Sequence, residues 1–477
     1  MTITRADTPF NEEDLPIAIP KNAPHRPLLA EQVDESDLRQ IFIKSKAEGT
    51  FRLAEWITKK LDIITVGQSK FEMFVYRSGM YFEAVNEIIY PEIQRILGPL
   101  VTQSARMETF NKIAAMTMHP RAIFTSAPMN LMPVINGVYD RDTKTLLPHD
   151  AKYRFTFQFP VFYNVEAICP RTDAFLDTVL DENQRTIVEE WMGYFFLRSY
   201  MFKKAIIFVG EGNTGKTTLL EVIDHMLGKD NISSVTLQKM SGDKFAAAHL
   251  FGKHGNLVDE LSAKDINDTG NFKIATGGGS ISGEYKYGNQ FSFNNFSKLT
   301  FACNKIPDVK DFDDDAYFNR WIVIRFDKMI EKKIPNFIKT LTTDDERSGV
   351  FNLAMCGLDR LMEQGGFSYS KNALDTKREM MRSGSSVAQF AAERLEQENG
   401  SEMTKENLYD QYSQFCSDKG LAAETIKMLG TKLPFYVTYL AEGNITDISG
   451  KRARGWRNIR VKKIDTSADE EYDSYGN

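Results

Sequence analysis

AIIFVGEGNTGKTTLLEVIDHML, residues 205–227, is the stretch that decides the fold of the centre of the chain. Its β-branched and aromatic start predicts a buried strand that ends at Val209, and the apolar spacing after Lys216 predicts a helix. The glycine-rich turn between them fits GxxxxGK[ST], the pattern of a phosphate-binding loop. We therefore predict that a nucleotide binds at this turn. The predicted contacts are Gly210, Glu211, Gly212, Asn213, Thr214, Gly215, Lys216, Thr217 and Thr218.

Two side chains of this loop have predicted chemical roles. The Lys216 ammonium reaches the terminal phosphates, and the Thr217 hydroxyl binds Mg²⁺. Backbone N–H groups and the start of the helix favour the negative charge of the phosphates. Kinases, GTPases and motors all have such a loop, so the loop alone does not identify the class of protein. The residues downstream of the loop are needed to distinguish these classes.

Two adjacent carboxylates follow the next strong strand pattern, HGNLVDEL at residues 254–261. Asp259 at the strand end can hold Mg²⁺ through water, and Glu260 can orient the attacking water. Adjacent acids at a strand end also occur as plain surface charges. Their distance from the phosphate loop favours the catalytic interpretation.

Polar and basic residues mark two further strands. KLTFACN, residues 298–304, ends in Asn304, which either contacts the γ-phosphate or the water, or opens the turn before Pro307. DDDAYFNRWIVIRF, residues 313–326, has Arg320 before a strand and Arg325 near its end. Either arginine could neutralise charge on the transferred phosphoryl group, or form a surface ion pair.

In this order the motifs resemble those of superfamily III helicases, the AAA+-related motors of small DNA viruses, phages and plasmids. The branch with the poxvirus and phage-satellite primase-helicases is the most similar, because INGVYDRDTKTLLPHD (135–150) and YNVEAICPRTDAFLDTVL (163–180) resemble its pre-motor segment. The resemblance implies ATP and Mg²⁺ as cofactors and a homo-oligomeric ring, a hexamer. It also implies that Glu260 activates water, that Asn304 is a polar sensor, and that Arg320 reaches the ATP of the neighbouring subunit.

A hairpin that contacts single-stranded DNA is predicted between the acids and the sensor. The family's additional motif is FKIATGGGSISGEYKYGNQFSFNNFSKL here (272–299), in which Lys273 and Gly278 match the early part. YKYGNQF predicts an exposed tip, where Lys286 and Tyr287 suit a phosphate and a stacked base. A solvated turn with an incidental lysine is the alternative. Lys273, Lys286 and Tyr287 are our predicted contacts to single-stranded DNA.

The carboxyl-terminal part predicts helices, then two strands that end in KRARGWRNIRVKK, residues 451–463. This order suggests a winged-helix domain whose basic strand, with Arg452, Arg454 and Arg457, contacts the phosphates of duplex or forked DNA. A solvated basic strand is an equal alternative. Asp140 and Asp142 have the DxD spacing of the family's primase carboxylates, but a turn is the simpler interpretation, so no primase activity is predicted.

The predicted fold class is α/β, an AAA+-like P-loop core between an α/β amino-terminal domain and a winged helix. Composition agrees, because 42% hydrophobic and 26% charged residues are typical of an ordinary globular chain of several domains. The predicted segments are a flexible start (1–35), an amino-terminal α/β and helical collar (36–200), the motor (201–335), a helical connection (336–384), the winged helix (385–463) and an acidic disordered tail (464–477).

Three features of the whole sequence exclude other classes. No apolar run has the length to cross a bilayer and the start lacks a signal-peptide pattern, so we predict a cytoplasmic protein without a membrane partner. The net charge of −6 argues against uniform coating of nucleic acid but permits a local basic channel. The four cysteines are far apart and predict neither zinc nor disulfides.

The sequence therefore predicts a ring-forming, ATP-dependent DNA helicase that replicates a phage, virus, plasmid or integrated mobile element. A primase or other replication proteins are candidate partners. Three alternatives remain: an origin-binding initiator that melts DNA without processive unwinding, a P-loop kinase, and an interaction scaffold with a structural ATP site. The kinase would need an acceptor and ignore DNA, whereas the initiator shares every motif and differs only in activity.

Overall fold

The computed structural model describes residues 34–67, 71–125, 127–243, 245–262, 269–285, 290–307, 314–446 and 452–462. They form two compact units, residues 34–76 with 82–123 and residues 77–81 with 124–462. The first boundary thus lies near residue 123 and not at the predicted residue 200. The physical reason is burial, since apolar residues from Met132 to Tyr200 share one core with the strand and helix around the phosphate loop.

The first unit packs four α-helices and most of a small antiparallel sheet around its own apolar core, whereas residues 77–81, the turn of this sheet and the start of its third strand, belong to the second unit. The sequence FEMFVYRSGMYFEAV, residues 71–85, predicts two short aromatic strands around a turn at Ser78–Gly79, and the structure confirms them as β2 and β3. The turn needs glycine because the φ of Gly79 is 95°. The elements are α1 (Glu35–Lys44), α2 (Lys46–Lys60), β1 (Ile63–Val66), β2 (Glu72–Arg77), β3 (Met80–Glu83), a π-helical segment (Val85–Ile89), α3 (Tyr90–Leu97) and α4 (Gln103–Thr117).

The second unit begins with a three-stranded antiparallel sheet and two helices. They are β4 (Leu131–Val134), β5 (Gly137–Asp140), β6 (Thr145–Leu147), α5 (Pro170–Val179) and α6 (Glu182–Tyr194). The Asp140 carboxylate accepts hydrogen bonds from the Asp142 amide (3.1 Å) and the Thr143 hydroxyl (3.0 Å) between β5 and β6. This confirms that the DxD spacing belongs to a turn.

The centre of the second unit contains seven strands and five helices within the described residues. They are β7 (Ala205–Val209), α7 (Lys216–Leu227), β8 (Ile232–Ser233), α8 (Leu237–Gly242), β9 (Gly255–Val258), α9 (Gly270–Thr276), β10 (Ser280–Glu284), β11 (Gln290–Asn294), β12 (Lys298–Cys303), α10 (Asp315–Phe318), β13 (Trp321–Arg325) and α11 (Phe337–Leu341).

Five of these strands form a parallel sheet in the order β13-β7-β12-β9-β8. Strands β7, β9 and β12 are buried along their whole length, as expected for a sheet covered on both faces. Alternate residues of β7 face two different apolar clusters, Ile206 and Phe208 in one, Ile207 and Val209 in the other. The structure therefore has the mixed α/β class predicted from the sequence.

The carboxyl-terminal part has one long helix, α12, then four helices of nine to 14 residues and a three-stranded antiparallel sheet in the order β14-β16-β15. One strand, β14, was not predicted, because the polar sequence LEQENGSEMT lacks an apolar face and gains its structure from pairing with β16. The elements are α12 (Asp344–Gln364), α13 (Ala373–Gly384), α14 (Ser386–Arg394), β14 (Leu395–Thr404), α15 (Lys405–Asp418), α16 (Ile426–Tyr436), β15 (Ala441–Thr446) and β16 (Arg452–Val461).

Helix α12 packs against α6 at close range because both helices carry glycine at the contact. A Cβ on Gly193 would lie 2.3 Å from the Ala354 carbonyl oxygen, and one on Gly357 would lie 2.2 Å from that of Glu189. The fully buried Glu190 carboxylate accepts a hydrogen bond from the Arg360 guanidinium at 3.0 Å. These contacts attach the helices of 336–384 to the segment that precedes the P-loop strand.

The start of α12 also stabilises the start of α5. The buried Glu346 carboxylate accepts hydrogen bonds from the backbone N–H groups of Arg171 and Thr172 (both 3.1 Å) and from the Thr172 hydroxyl (2.9 Å). A carboxylate at this position satisfies donors that the first turn of a helix leaves without intrahelical partners.

In the described part of the chain, none of the helices combines the length and apolar character that a bilayer span requires.

We predict that Glu346→Ala lowers the free energy of unfolding of the second unit by about 2–3 kcal/mol, because buried donors lose a charged acceptor. Urea unfolding measures this loss, and hydrogen exchange of the Arg171 and Thr172 amides should accelerate with it. The matched control is Asp345→Ala on the exposed side of the same helical turn, which should cost less than about 1 kcal/mol. Equal losses in the two variants would contradict the assigned role of Glu346.

Candidate functional site

The loop between β7 and α7 has backbone conformations that its glycines make possible. Asn213 and Gly215 have φ values of 63° and 98°, in the region that glycine adopts without strain. A Cβ on Gly215 would lie 2.8 Å from Val179 Cγ1, and one on Gly210 would lie 2.3 Å from the Phe326 carbonyl oxygen. The loop therefore depends on glycine at both of its ends.

The Lys216 side chain folds back over this loop. Its ammonium group donates hydrogen bonds to the carbonyl oxygens of Gly210 (2.6 Å) and Glu211 (2.7 Å), and lies 3.3 Å from Thr214 Oγ1. Burial lowers the pKa of Lys216, although the nearby Asp259 carboxylate opposes this shift. The lysine is thus placed at the mouth of the loop and at the first residue of α7.

The predicted magnesium residues are in direct contact. Thr217 Oγ1 donates a hydrogen bond of 2.8 Å to Asp259 Oδ1, and both residues are exposed. Asp259 and Glu260 follow β9, and the Leu261 amide donates to the Ala302 carbonyl oxygen at 2.8 Å. A hydroxyl and a carboxylate oxygen together fit the hard oxygen ligands that Mg²⁺ prefers. These residues therefore form a suitable partial site for the ion.

Asn304 follows β12 at the same edge of the sheet as the phosphate loop. The Gly210 amide donates to the Cys303 carbonyl oxygen at 3.3 Å, so the ends of β7 and β12 are adjacent. Asn304 itself is exposed. Burial raises the pKa of the Cys303 thiol to about 12, even with Lys216 nearby, so this cysteine remains a protonated thiol.

The two candidate arginines lie at opposite ends of β13. Arg325 pairs in register with Val209, beside the phosphate loop of its own chain, and its guanidinium contacts Asp327 at 3.1 Å. Arg320 precedes the strand, and its carbonyl oxygen accepts from the Ala205 amide at the start of β7. The two arginines are five residue steps apart along the strand, which separates their backbones by roughly 16 Å. Arg320 is therefore far from the loop of its own chain.

The Arg320 guanidinium is half-buried. It donates to the Ala316 carbonyl oxygen one helical turn earlier, while its buried Nε has no hydrogen-bond partner among the described residues. Burial lowers the pKa of Arg320, and the Asp314 carboxylate partly opposes this effect. The side chain thus retains hydrogen-bonding capacity for another group.

The structure gives Lys273 a different environment from the predicted contact with DNA. Its ammonium group lies 2.7 Å from Asp314 Oδ2, and this carboxylate also accepts from the Thr269 hydroxyl at 2.7 Å. Lys273 is therefore engaged within the protein, at the base of the β10–β11 hairpin. The predicted tip residues Lys286 and Tyr287 lie outside the described residues.

The basic strand β16 is more neutral than its sequence suggested. Arg457 pairs with Glu402 (2.9 Å), Arg454 with Glu442 (3.5 Å), and Arg460 with Glu396 and Glu398. Arg452 is exposed. These partners could not be predicted from the sequence, because three of the four acids belong to the unpredicted strand β14 and cross-strand pairing sets the register. Exposed pairs of this kind contribute little stability, so phosphates could replace the carboxylates.

A segment beside the loop was also not identified from the sequence. The Ile330 amide donates a 2.9 Å hydrogen bond to the Asn213 carbonyl oxygen, and the Lys328 ammonium donates to the Leu180 carbonyl oxygen at 2.7 Å. The exposed residues 331–336 follow. Their mixture of charged and isolated apolar residues gave no periodic signal, so only the tertiary structure places this segment against the phosphate loop.

Two sequence families match parts of the chain. Residues 52–181 match the family described as D5 N terminal like, and residues 208–321 match a family of unknown function, DUF5906. The second match contains the phosphate loop, the two acids, Asn304 and Arg320. Each of the two matches covers less than half of the 477 residues.

Two curated relatives are viral proteins. A "putative helicase" of Acanthamoeba polyphaga mimivirus is 32% identical over 126 residues, which cover 25% of this chain and 13% of the relative. A "putative helicase" of Invertebrate iridescent virus 6 is 26% identical over 274 residues, 49% of this chain and 26% of the relative. The matched segments thus span about an eighth and a quarter of these relatives.

The solved structures that match this chain include two apo forms of the NrS-1 C terminal region. Each has 12% sequence identity, with TM-scores of 0.43 and 0.44, over 85% and 86% of this chain and 97% and 99% of the other. The sequence matches show that parts of this chain are similar to D5-like proteins and to viral proteins named as helicases.

Proposed function

We propose that this protein is an ATP-dependent DNA helicase that assembles as a ring and unwinds duplex DNA during replication. The observation that carries the proposal is the placement of five functional groups around one parallel sheet. Lys216, the Thr217–Asp259 pair, Glu260 and Asn304 lie at the carboxyl edge of β7, β9 and β12, whereas Arg320 lies at the opposite edge. Ligands of open parallel sheets bind at the carboxyl edge.

The proposed ATP site uses the groups in the roles predicted for them. Backbone N–H groups of the loop and the start of α7 would hold the phosphates, and Lys216 would exchange its carbonyl partners for phosphate oxygens. Thr217 and Asp259 would hold Mg²⁺, which neutralises phosphate charge when bound. Glu260 is exposed beside Asp259 and is our candidate for orienting the attacking water. Asn304 is the candidate sensor of the γ-phosphate.

The position of Arg320 supports assembly as a ring. A guanidinium at the edge opposite its own phosphate loop cannot reach its own ATP across roughly 16 Å of strand. It can reach the ATP of a neighbour if subunits pack head to tail, and such contacts form a ring where the rotation between subunits closes. A hexamer is the ring size that we propose.

Two DNA contacts complete the proposal. The antiparallel hairpin β10–β11, in the register Glu284 with Gln290, would present its tip to single-stranded DNA. The segment from α14 to β16 supports a winged helix. Its elements follow in the order helix, strand, two helices and two strands, and β16 is the central strand of its sheet. Its arginines would contact forked or duplex DNA after leaving their carboxylate partners. The viral relatives named as helicases support DNA as the substrate.

The first prediction concerns strand separation. The wild-type chain should open a forked DNA with either a 3′ or a 5′ tail when ATP and Mg²⁺ are present, whereas Lys216→Ala should not, because it cannot bind the terminal phosphates. A fluorescent strand-displacement assay measures this. Lys229→Ala, at an exposed lysine beyond the far end of α7, is the matched control and should unwind normally. ATP hydrolysis without opening of either fork would favour an initiator, and hydrolysis that ignores DNA would reject both.

The second prediction separates the two arginines. Arg320→Ala should still bind ATP but hydrolyse it roughly a thousandfold more slowly, the size of an arginine-finger effect. Arg325→Ala should retain hydrolysis, because the guanidinium of Arg325 is paired with Asp327 within its own chain. Steady-state hydrolysis and binding of a fluorescent ATP analogue measure the two effects.

A mixing experiment tests whether Arg320 acts between subunits. Lys216→Ala subunits retain the arginine and Arg320→Ala subunits retain the phosphate loop, so mixed rings should recover part of the lost hydrolysis. Mixing that restores nothing, or a greater loss in Arg325→Ala, would reject the assignment of Arg320.

A further inference from the structure

Two regions with proposed functions begin at neighbouring helices. Helix α9 leads into strand β10 of the proposed DNA hairpin through Gly277–Gly279, and α10 is followed after one residue by Arg320. The far end of the hairpin is attached to α9 as well. The Asn295 side chain, which is buried, donates a 2.8 Å hydrogen bond to the Ala275 carbonyl oxygen. Both ends of the hairpin are therefore attached to α9.

An ion pair connects α9 to α10. Lys273 on α9 lies 2.7 Å from Asp314, the residue that caps α10, and Asp314 Oδ1 accepts from the Tyr317 amide at 3.0 Å. The Asp314 side chain is only 8% exposed. Burial would raise its pKa, but hydrogen bonds from Lys273 and Thr269 lower the pKa below its usual value. The Asp314 carboxylate is therefore ionised at neutral pH and largely shielded from solvent.

Aromatic packing strengthens the same connection. The Phe272 ring on α9 stacks on Trp321, the first residue of β13, with centroids 4.7 Å apart and planes at 13°. The Phe272 ring also contacts Tyr317 of α10 at 5.1 Å. Trp321 directly follows Arg320, so α9 contacts both sides of the segment that holds the arginine. Close-packed contacts of this kind transmit displacements because the interior has little free volume.

We propose that the Lys273–Asp314 pair couples the DNA hairpin to the arginine at the subunit boundary, so that a displacement of the hairpin by DNA repositions Arg320 toward the neighbour's ATP. Lys273 and Asp314 are positioning residues in this proposal and touch neither DNA nor nucleotide. The proposal rests on the proposed helicase function. It replaces the direct contact between Lys273 and DNA that the sequence suggested.

The test compares hydrolysis with and without DNA in the full chain. Lys273→Met keeps the length of the side chain and removes its charge, and Asp314→Asn removes the opposite charge. Each should retain binding of a fluorescent ATP analogue, binding of labelled oligo(dT) and basal hydrolysis. The ratio of DNA-stimulated to basal hydrolysis should fall roughly tenfold, a typical size for coupling between sites. Lys273→Arg, which keeps the charge, should preserve most of that ratio.

Two controls distinguish coupling from a loss of folded protein. Lys60→Met breaks the Lys60–Glu92 pair of the first unit, which has the same 2.7 Å separation and a carboxylate side chain that is 15% exposed, against 8% for Asp314. This variant should leave the ratio unchanged. The double substitution Lys273→Asp with Asp314→Lys restores opposite charges and should recover part of the ratio. Thermal unfolding identifies the temperature range in which all variants are folded, and the ratios are compared within it.

The outcomes separate the two proposals. If the wild-type chain is stimulated by DNA and Lys273→Met is stimulated equally, the coupling role is rejected and the helicase proposal stands. If Lys273→Met loses oligo(dT) binding while its unstimulated hydrolysis is normal, Lys273 is a DNA contact and the coupling role is also rejected. If DNA does not stimulate the wild-type chain, the helicase proposal fails and the coupling proposal fails with it.

Discussion

Main-chain hydrogen bonding of β7 between β12 and β13 is the constraint on which the rest of the structure depends. Parallel pairing aligns the carboxyl ends of the strands, so the residues that follow them meet at one edge although long stretches of sequence separate them. The Gly210 amide, bonded to the Cys303 carbonyl oxygen, continues this pairing into the phosphate loop. The contact between Thr217 and Asp259 is a consequence of the same register.

The sheet also separates groups that would belong to different ATP sites in the proposed ring. Because Arg320 and Arg325 occupy opposite ends of one strand, they cannot serve the same phosphate group in one chain. Arg320, which precedes the strand, lies at the end of β13 that is distant from the phosphate loop of its own chain. In the proposed ring, each subunit therefore contributes a loop on one side and an arginine on the other, and hydrolysis depends on assembly.

Charge pairing changes what the basic residues can do. Arg454, Arg457 and Arg460 face carboxylates across an exposed sheet, where solvent weakens each pair and a polyanion can compete. The Lys273–Asp314 pair is different because its carboxylate is nearly buried and also caps a helix. The arginines of β16 thus have exposed carboxylate partners that a phosphate could replace, whereas Lys273 has a nearly buried partner with a structural role.

The sequence by itself determined the α/β class, the strand, loop and helix from Ala205 to Leu227, the β2–β3 turn and the turn at Asp140, because hydrophobic period and glycine placement act over a few residues. It also selected the residues at the sheet edge. The chemical roles of those residues and the assembly of the chain into a ring stay predictions. Only the tertiary structure decided the boundary near residue 123, the strand β14, the partner of Lys273 and the segment against Asn213. All four features depend on contacts between residues that are far apart in the chain. The hydrophobic period of a local sequence does not indicate which distant residue it will contact.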